Sequence, residues 1–217
     1  NNCDTVVPGD EVDVDNDGVD DWLISAGFLT APNGQIIWYK GEQNGDTLSF
    51  SSQMQSIEIP TYGDIAQWYH EMLPVDIDGD GDMDLITTNN DGTPYESGSS
   101  RVELWINDGI SGTASYTQTL LATGYGGALL DTADMDGDGD IDIVLPQYFE
   151  DTPLTWLEQT GANGTAWTPH VINTDTGRGF GAKIVDLDGD GNLDASAAFT
   201  YDDEGRLTAY DFDTGSD

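Results

Sequence analysis

Positive charge is what this 217-residue sequence has least of: five Lys and Arg stand against 42 Asp and Glu, giving a formal net charge of −37. A surface so anionic repels phosphate backbones and anionic lipid headgroups, which excludes nucleic acid and charged membrane surfaces as partners. Cysteine is nearly absent as well. Cys3 stands alone, so no disulfide can form within the chain, and its thiol is either free or bonded to another chain or a further segment. No run of 18 apolar residues offers a membrane-spanning helix, so no membrane insertion is expected. There is no signal-peptide pattern and the chain does not begin with Met, as expected of a processed product or a piece of something longer.

Catalytic signatures are also missing. The sequence has no G-x-S-x-G, no H-E-x-x-H and no phosphate-cradling glycine loop. Its two histidines, His70 and His170, lie far apart without ligand-like spacing, and His170 reads as a strand residue rather than a base. The acidic pairs Glu150-Asp151 and Asp202-Asp203-Glu204 read as solvated turns, and Arg178 and Lys183 as partners of nearby carboxylates. No catalytic residue is named.

What the chain does have is one nine-residue pattern four times over: Asp13 to Asp21, Asp76 to Asp84, Asp134 to Asp142 and Asp186 to Asp194. Each copy places Asp at positions 1, 3, 5 and 9 and Gly at position 6. Odd-numbered side chains of a tightly turning loop converge on one point, position 7 adds a backbone carbonyl, and the last Asp can bind through both oxygens. Calcium takes six to eight such oxygens, whereas magnesium demands a stricter octahedron. The expected ligands are Asp13, Asp15, Asp17, Val19 and Asp21; Asp76, Asp78, Asp80, Asp82 and Asp84; Asp134, Asp136, Asp138, Asp140 and Asp142; and Asp186, Asp188, Asp190, Asn192 and Asp194. About four Ca²⁺ sites follow. Four ions would add eight positive charges and bring the net charge from −37 to −29. Solubility in saline surroundings, or a cationic or calcium-bridged ligand, would account for the acidity that remains.

An EF-hand begins with the same letters but needs Glu at position 12 and flanking helices. Position 12 is Ile24, Thr87, Leu145 and Ala197 here, and each loop is followed by a short apolar run such as Leu85-Ile86 or Ile143-Val144-Leu145. Such runs, bounded by turn residues, predict buried strands. Strands are expected at Trp22 to Ser25, Gln35 to Tyr39 and Leu48 to Ile59, then from Ile65 to Val75, Asp84 to Thr88, Val102 to Asn107 and Ser115 to Leu121. In the second half they are expected at Ala128 to Ala133, Ile141 to Leu145, Leu154 to Glu158, Trp167 to Ile172, Phe180 to Val185, Asp194 to Phe199 and Arg206 to Phe212. The segment from Ile65 to Met72 could alternatively form a turn or two of helix. Third strands align on an aromatic, in Ile37-Trp38-Tyr39, Leu104-Trp105-Ile106, Thr155-Trp156-Leu157 and Thr208-Ala209-Tyr210, which predicts packing between units.

The first aspartates of successive loops are 63, 58 and 52 residues apart. With about four strands per unit, that spacing predicts an all-β propeller of four-stranded blades. Approximate blades are residues 9–60, 61–122, 123–174 and 175–217 of a single domain spanning 1–217, the last incomplete. Residues 1–8, through Thr5-Val6-Val7, could supply the missing strand or donate it to a neighbouring molecule.

These loops, the strand after each and the aromatic third strand resemble the FG-GAP/VCBS repeat family, the calcium-loop β-propeller repeats of integrin α-subunit heads and many secreted microbial proteins. Phe180-Gly181 resembles the FG half of that name, with Tyr62-Gly63 and Tyr125-Gly126-Gly127 as variants. The resemblance implies that each loop joins the first and second strands of a blade, and that about seven blades make a ring. Only four are visible, which leaves a fragment of a larger propeller, a small closed ring, or a unit completed by another chain.

Calcium loops fill where calcium is abundant, so an extracellular, secreted or cell-surface location is expected, and the sequon Asn163-Gly164-Thr165 marks Asn163 as a candidate glycosylation site. The leading expectation is a calcium-stabilised structural, adhesion or ligand-binding module with a protein or glycan ligand. The alternatives are the propeller part of a carbohydrate-active enzyme of polysaccharide-lyase type, and a filament or surface-layer subunit self-associating through its terminal strands or Cys3.

Overall fold

Every described loop leads into an apolar run that becomes a strand inside an antiparallel sheet, and four such sheets follow one another along the chain. The computed structural model describes residues 12–26, 34–57, 68–90, 100–125, 129–146, 148, 153–174 and 179–185, together with the backbone of strands at 194–201 and 207–210. The first sheet is β1 (Trp22–Ala26), β2 (Gln35–Asn44) and β3 (Thr47–Ser56), in that order. The second is β4 (Trp68–Val75), β5 (Asp84–Asn90), β6 (Ser100–Asn107) and β7 (Tyr116–Thr123). The third is β8 (Asp131–Ala133), β9 (Asp142–Leu145), β10 (Leu154–Gly161) and β11 (Ala166–Asn173). The fourth is β12 (Lys183–Val185), β13 (Asp194–Tyr201) and β14 (Leu207–Tyr210).

The fold is therefore all-β, with each strand paired to its neighbour in sequence. In the second and third sheets the acidic loop joins the first strand to the second. Among the described residues, which begin at 12, the first unit has three strands. Val12 lies outside any strand, and the carbonyl of Val12 accepts the Asp21 N–H at 2.7 Å where a first strand would pair. The suggested helical turn also fails, because Trp68 to Met72 lie in β4, paired from Trp68–Asn90 to Val75–Asp84. A ladder against a buried strand overrides the weak local preference of so short a segment. β2 runs on past its expected end at Tyr39, through Gly41 to Asn44.

Packing between sheets follows from the two-residue period of a strand. Leu85 and Ile86 are adjacent in β5, so they face opposite ways. Leu85 joins Trp105, Tyr69, Trp38, Ile36 and Val14 at the seam between the first and second sheets. Ile86 joins Val102, Leu104, Leu130, Ile143, Leu145 and Leu157 at the next seam. Val144, next to Ile143, then turns to Leu154 and Ala182 toward the fourth sheet. Coverage on both faces is why Leu85-Ile86 and Ile143-Val144-Leu145 run continuously apolar rather than alternating, although β5 continues into the buried polar residues Thr87, Thr88, Asn89 and Asn90.

The register corrects the aromatic alignment. Tyr39 pairs with Trp22, Trp105 with Leu85 and Leu157 with Ile143, so Tyr39, Trp105 and Leu157 are equivalent, while Trp38 corresponds to Leu104 and Trp156. Aligning Trp38 with Trp105 slips one residue, which reverses the face. Trp38 and Trp105 nonetheless meet at one seam, approaching it from opposite sheets. Trp156 packs at the third seam and stacks on His170 at a ring-centroid distance of 4.7 Å. Packing is the role of all three, while the side chain of Tyr210 lies outside the described residues.

Candidate metal centres

Each described loop is built by its own carboxylates. Asp76 accepts the N–H groups of Gly79, Asp80 and Gly81, at 2.8, 3.1 and 3.1 Å, and Asp134 accepts the equivalent three from Gly137, Asp138 and Gly139. In the first loop Asp13 accepts from Asp17 and Gly18. Positions 3 and 5 then cap the residue two further on: Asp78 accepts from Asp80, Asp80 from Asp82, Asp136 from Asp138 and Asp138 from Asp140. Short acidic side chains favour such local turns.

The tight curl places two residues per loop in the left-handed region. Position 6 is Gly18, Gly81 and Gly139, as expected from the pattern; position 4 is Asn16, Gly79 and Gly137, at φ values of 55°, 74° and 78°. Asn and Gly are the residues that tolerate this conformation. The signal at position 4 was present in the letters, since every copy there is Asn or Gly.

The ninth position has a role beyond the one expected of it. Both oxygens of Asp84 accept backbone N–H groups, from Ile77 at 3.0 Å and Asn107 at 2.8 Å. Asp21 does the same with Val14 and Gly41, and Asp142 with Met135 and Gln159. Each is buried, and each ties the start of its loop to the strand paired beside the one the loop enters, β2, β6 and β10 in turn. A carboxylate occupied this way is held in place before any ion arrives.

One oxygen from each of Asp76, Asp78 and Asp84 lies within 4.8 Å of the others, and the same holds for Asp134, Asp136 and Asp142. In the first loop the group is Asp13, Asp15 and Asp17. The donors are all carboxylate oxygens, which suits a hard divalent cation. Asp15 Oδ1 is buried without a hydrogen-bond partner, a vacancy in polar bonding that a cation would satisfy. Asp80, Asp82, Asp138 and Asp140 lie outside these triads, as do Val19 and Asp21. Asp186, Asp188, Asp190 and Asn192 fall outside the described residues, and Asp194 is described only as the first residue of β13.

Burial raises the carboxyl pKa of Asp21 and of Asp84 from 3.8 to about 6, and raises that of Asp142 in the same direction. A folded-state value above the unfolded one favours the metal-free fold in acid, and this advantage is lost as pH rises through about 6. Buried His70, lowered from 6.5 to about 4, acts oppositely, removing stability as pH falls, but equally with and without metal. The difference in melting temperature between calcium-loaded and EGTA-treated protein should therefore be largest above pH 6 and shrink below it, as protons take the carboxylates the ion needs. Paired thermal scans across that pH range check this.

Other candidate residues take structural positions. His170 lies in β11 with Nε2 2.5 Å from Glu158 Oε2, and Lys183 pairs with Asp131 at 3.2 Å. Asn163 is exposed on the turn between β10 and β11 at φ 61°, accessible to a modifying enzyme. Arg178, Glu150-Asp151, Asp202-Asp203-Glu204, Cys3 and the Thr5-Val7 segment lie outside the described residues.

Successive antiparallel sheets, three of them with a described carboxylate-built turn bonded back to a neighbouring strand of the same sheet, define a class of β-sheet repeat protein with acidic loops. The model of the FG-GAP-like repeat family matches residues 13–87 and 76–145, and the chain belongs to that family. No curated protein matches it. FG-GAP repeats are typical of extracellular proteins, and among the described residues no helix is long and apolar enough to cross a membrane.

Proposed function

We propose that this chain is an extracellular, calcium-binding β-propeller module in which the ion of each loop staples a blade, and whose role is structural, adhesive or ligand-binding. The observation that carries this reading is repetition. Three loops, each curled by N–H bonds to its first Asp and tied to its sheet through its ninth, stand in three consecutive sheets, each gathering three carboxylates within 4.8 Å. A catalytic site needs one such arrangement, whereas a structural staple is needed once per unit.

The blades are residues 9–60, 61–122, 123–174 and 175–217, acting as one domain with about four Ca²⁺ sites. Seams between sheets that use both faces of the second strands β5 and β9 support the propeller arrangement, since each blade needs a neighbour on either side. The partner is a protein or glycan, recognised by a surface other than the loops, whose carboxylates are engaged in holding the turn.

Calcium acts here through mass action on the folded state. A site at a hundredfold excess of free ion over its Kd stabilises by about 2.7 kcal/mol. At roughly 2–4 °C per kcal/mol for a chain of this size, two filled loops raise the melting temperature by about 10 °C or more. Differential scanning calorimetry in calcium, in magnesium and in EGTA measures it. The expected order is calcium well above magnesium and EGTA. Three coincident melting temperatures would overturn the proposal.

A further inference from the structure

The three described loops are not equivalent, because among the described residues the first alone has a cation bonded to its triad. Lys40 Nζ donates to Asp15 Oδ2 and, at 2.5 Å, to Asp17 Oδ2. Both carboxylates belong to the triad of Asp13, Asp15 and Asp17. The other two loops have no such partner at the matching place. The residue that bonds back to position 9 is Gly41, Asn107 and Gln159 in turn, so the residue before it is Lys40, Ile106 and Glu158. Ile106 is apolar, and Glu158 is turned to His170.

Local structure accounts for the placement of Lys40. The pairing of β2 with β3 changes register between Tyr39 and Gly41, with Lys40 at the break. The Lys40 ammonium forms ion pairs with both Asp15 and Asp17, each a hydrogen bond that it donates. Asp15 itself is 3% exposed, and its remaining oxygen, Oδ1, has no hydrogen-bond partner. Lys40 therefore neutralises two carboxylates of the loop while leaving one oxygen unsatisfied.

We propose that Lys40 is a tethered cation that competes with calcium for the first loop, making it the weakest of the described sites and holding it folded when metal is absent. This rests on the calcium reading of the loops and adds an order of affinity to it. An ion entering the first loop must displace the ammonium from Asp15 and Asp17, whereas an ion entering the Asp76 or Asp134 loop displaces only water. Two charge-assisted hydrogen bonds have to break. The second and third loops fill first, and the first loop fills only as calcium rises further.

Isothermal titration of EGTA-stripped protein with CaCl₂ tests this, comparing wild type with Lys40→Met and with Lys40→Met/Asp15→Asn. Removing the competitor should tighten one site roughly tenfold or more, the equivalent of losing one charge-assisted hydrogen bond. The added Asp15→Asn should abolish that same site and leave the others unchanged. Melting in EGTA supplies a second readout, in which Lys40→Met should lower the melting temperature, since three carboxylates then face one another uncompensated. Calcium heats that are unchanged by Lys40→Met would overturn the competition while leaving the calcium reading intact. Absence of calcium heat in every variant would overturn the calcium reading and this inference together.

Discussion

Asp84→Asn should destabilise the protein by roughly 2–4 kcal/mol even in EGTA. The side chain is 1% exposed, and both its oxygens are engaged, Oδ2 by the Ile77 N–H and Oδ1 by the Asn107 N–H. Asparagine keeps one acceptor and turns an amide donor toward the second N–H, leaving a buried backbone donor unpaired against another donor. The loss is not confined to the loop, because Asn107 ends β6, the strand that contributes Leu104 and Trp105 to two seams. Asp80→Asn is the matched control. Asp80 is exposed and accepts one bond, from Asp82, through an oxygen that asparagine retains. It should be nearly neutral without metal. Urea unfolding of the two variants separates them, with the midpoint falling for Asp84→Asn and the slope unchanged, as expected when stability alone changes.

Gly41→Ala should cost about 3 kcal/mol or more, at the upper end for overpacking a rigid site. A Cβ at Gly41 would overlap the carbonyl oxygen of Asp20 and come within 2.9 Å of its carbon and 3.0 Å of Val19 Cγ1. Two of these atoms are backbone of the first acidic loop, so no side-chain rotation relieves the clash. Either the loop or β2 must move, and the Gly41 N–H to Asp21 bond of 2.7 Å is lost as it does. The comparison is Gly45→Ala, at the tip of the β2–β3 hairpin. Gly45 has a φ of +63° but nothing within 4 Å of its Cβ position, so only backbone strain of about 1 kcal/mol is expected there. Chemical denaturation of both variants reads the difference. Similar losses would mean that the close approach of loop to strand at Gly41 does not constrain the fold.

These two sites show what could and could not be read from the letters. The loops were legible because four aspartates and a glycine at fixed spacing form a side-chain pattern, and the strands because turn residues bracket each apolar run. Which face each strand residue takes was less accessible. Trp38 and Trp105 look equivalent in an alignment, yet hydrogen-bond register sets them one residue apart, and register is a property of strand pairs. The double role of Asp21, Asp84 and Asp142 was hidden for a related reason. Their partners are backbone N–H groups of Gly41, Asn107 and Gln159, and a backbone donor has no letter of its own. Lys40 was invisible as a loop residue because it lies 23 to 25 positions from the aspartates it meets, brought there only by the return of β2 beside β1.

The Asp84 carboxylate joins local turn chemistry to the larger arrangement. Its loop begins at Asp76, immediately after β4, and Asp84, which opens β5, bonds Ile77 in that loop and Asn107 at the end of β6, so one side chain ties the loop to two strands of a single sheet. The outer hairpin of that sheet in turn reaches the preceding loop, where Gly112 N–H and Thr113 N–H bond the Asp15 carbonyl at 2.5 and 3.2 Å. Asn16 Nδ2 meets Asn107 Oδ1 at 3.1 Å in the same region. A loop that loosens therefore loosens two sheets, which is why an ion fixed at one turn would stabilise more than that turn.

The most direct test is to locate the ions. Crystals grown in calcium and measured at a wavelength that enhances calcium anomalous scattering should give difference peaks among Asp76, Asp78 and Asp84 and among Asp134, Asp136 and Asp142. An anomalous map with no peak in either loop, from protein held in calcium throughout, would contradict the account.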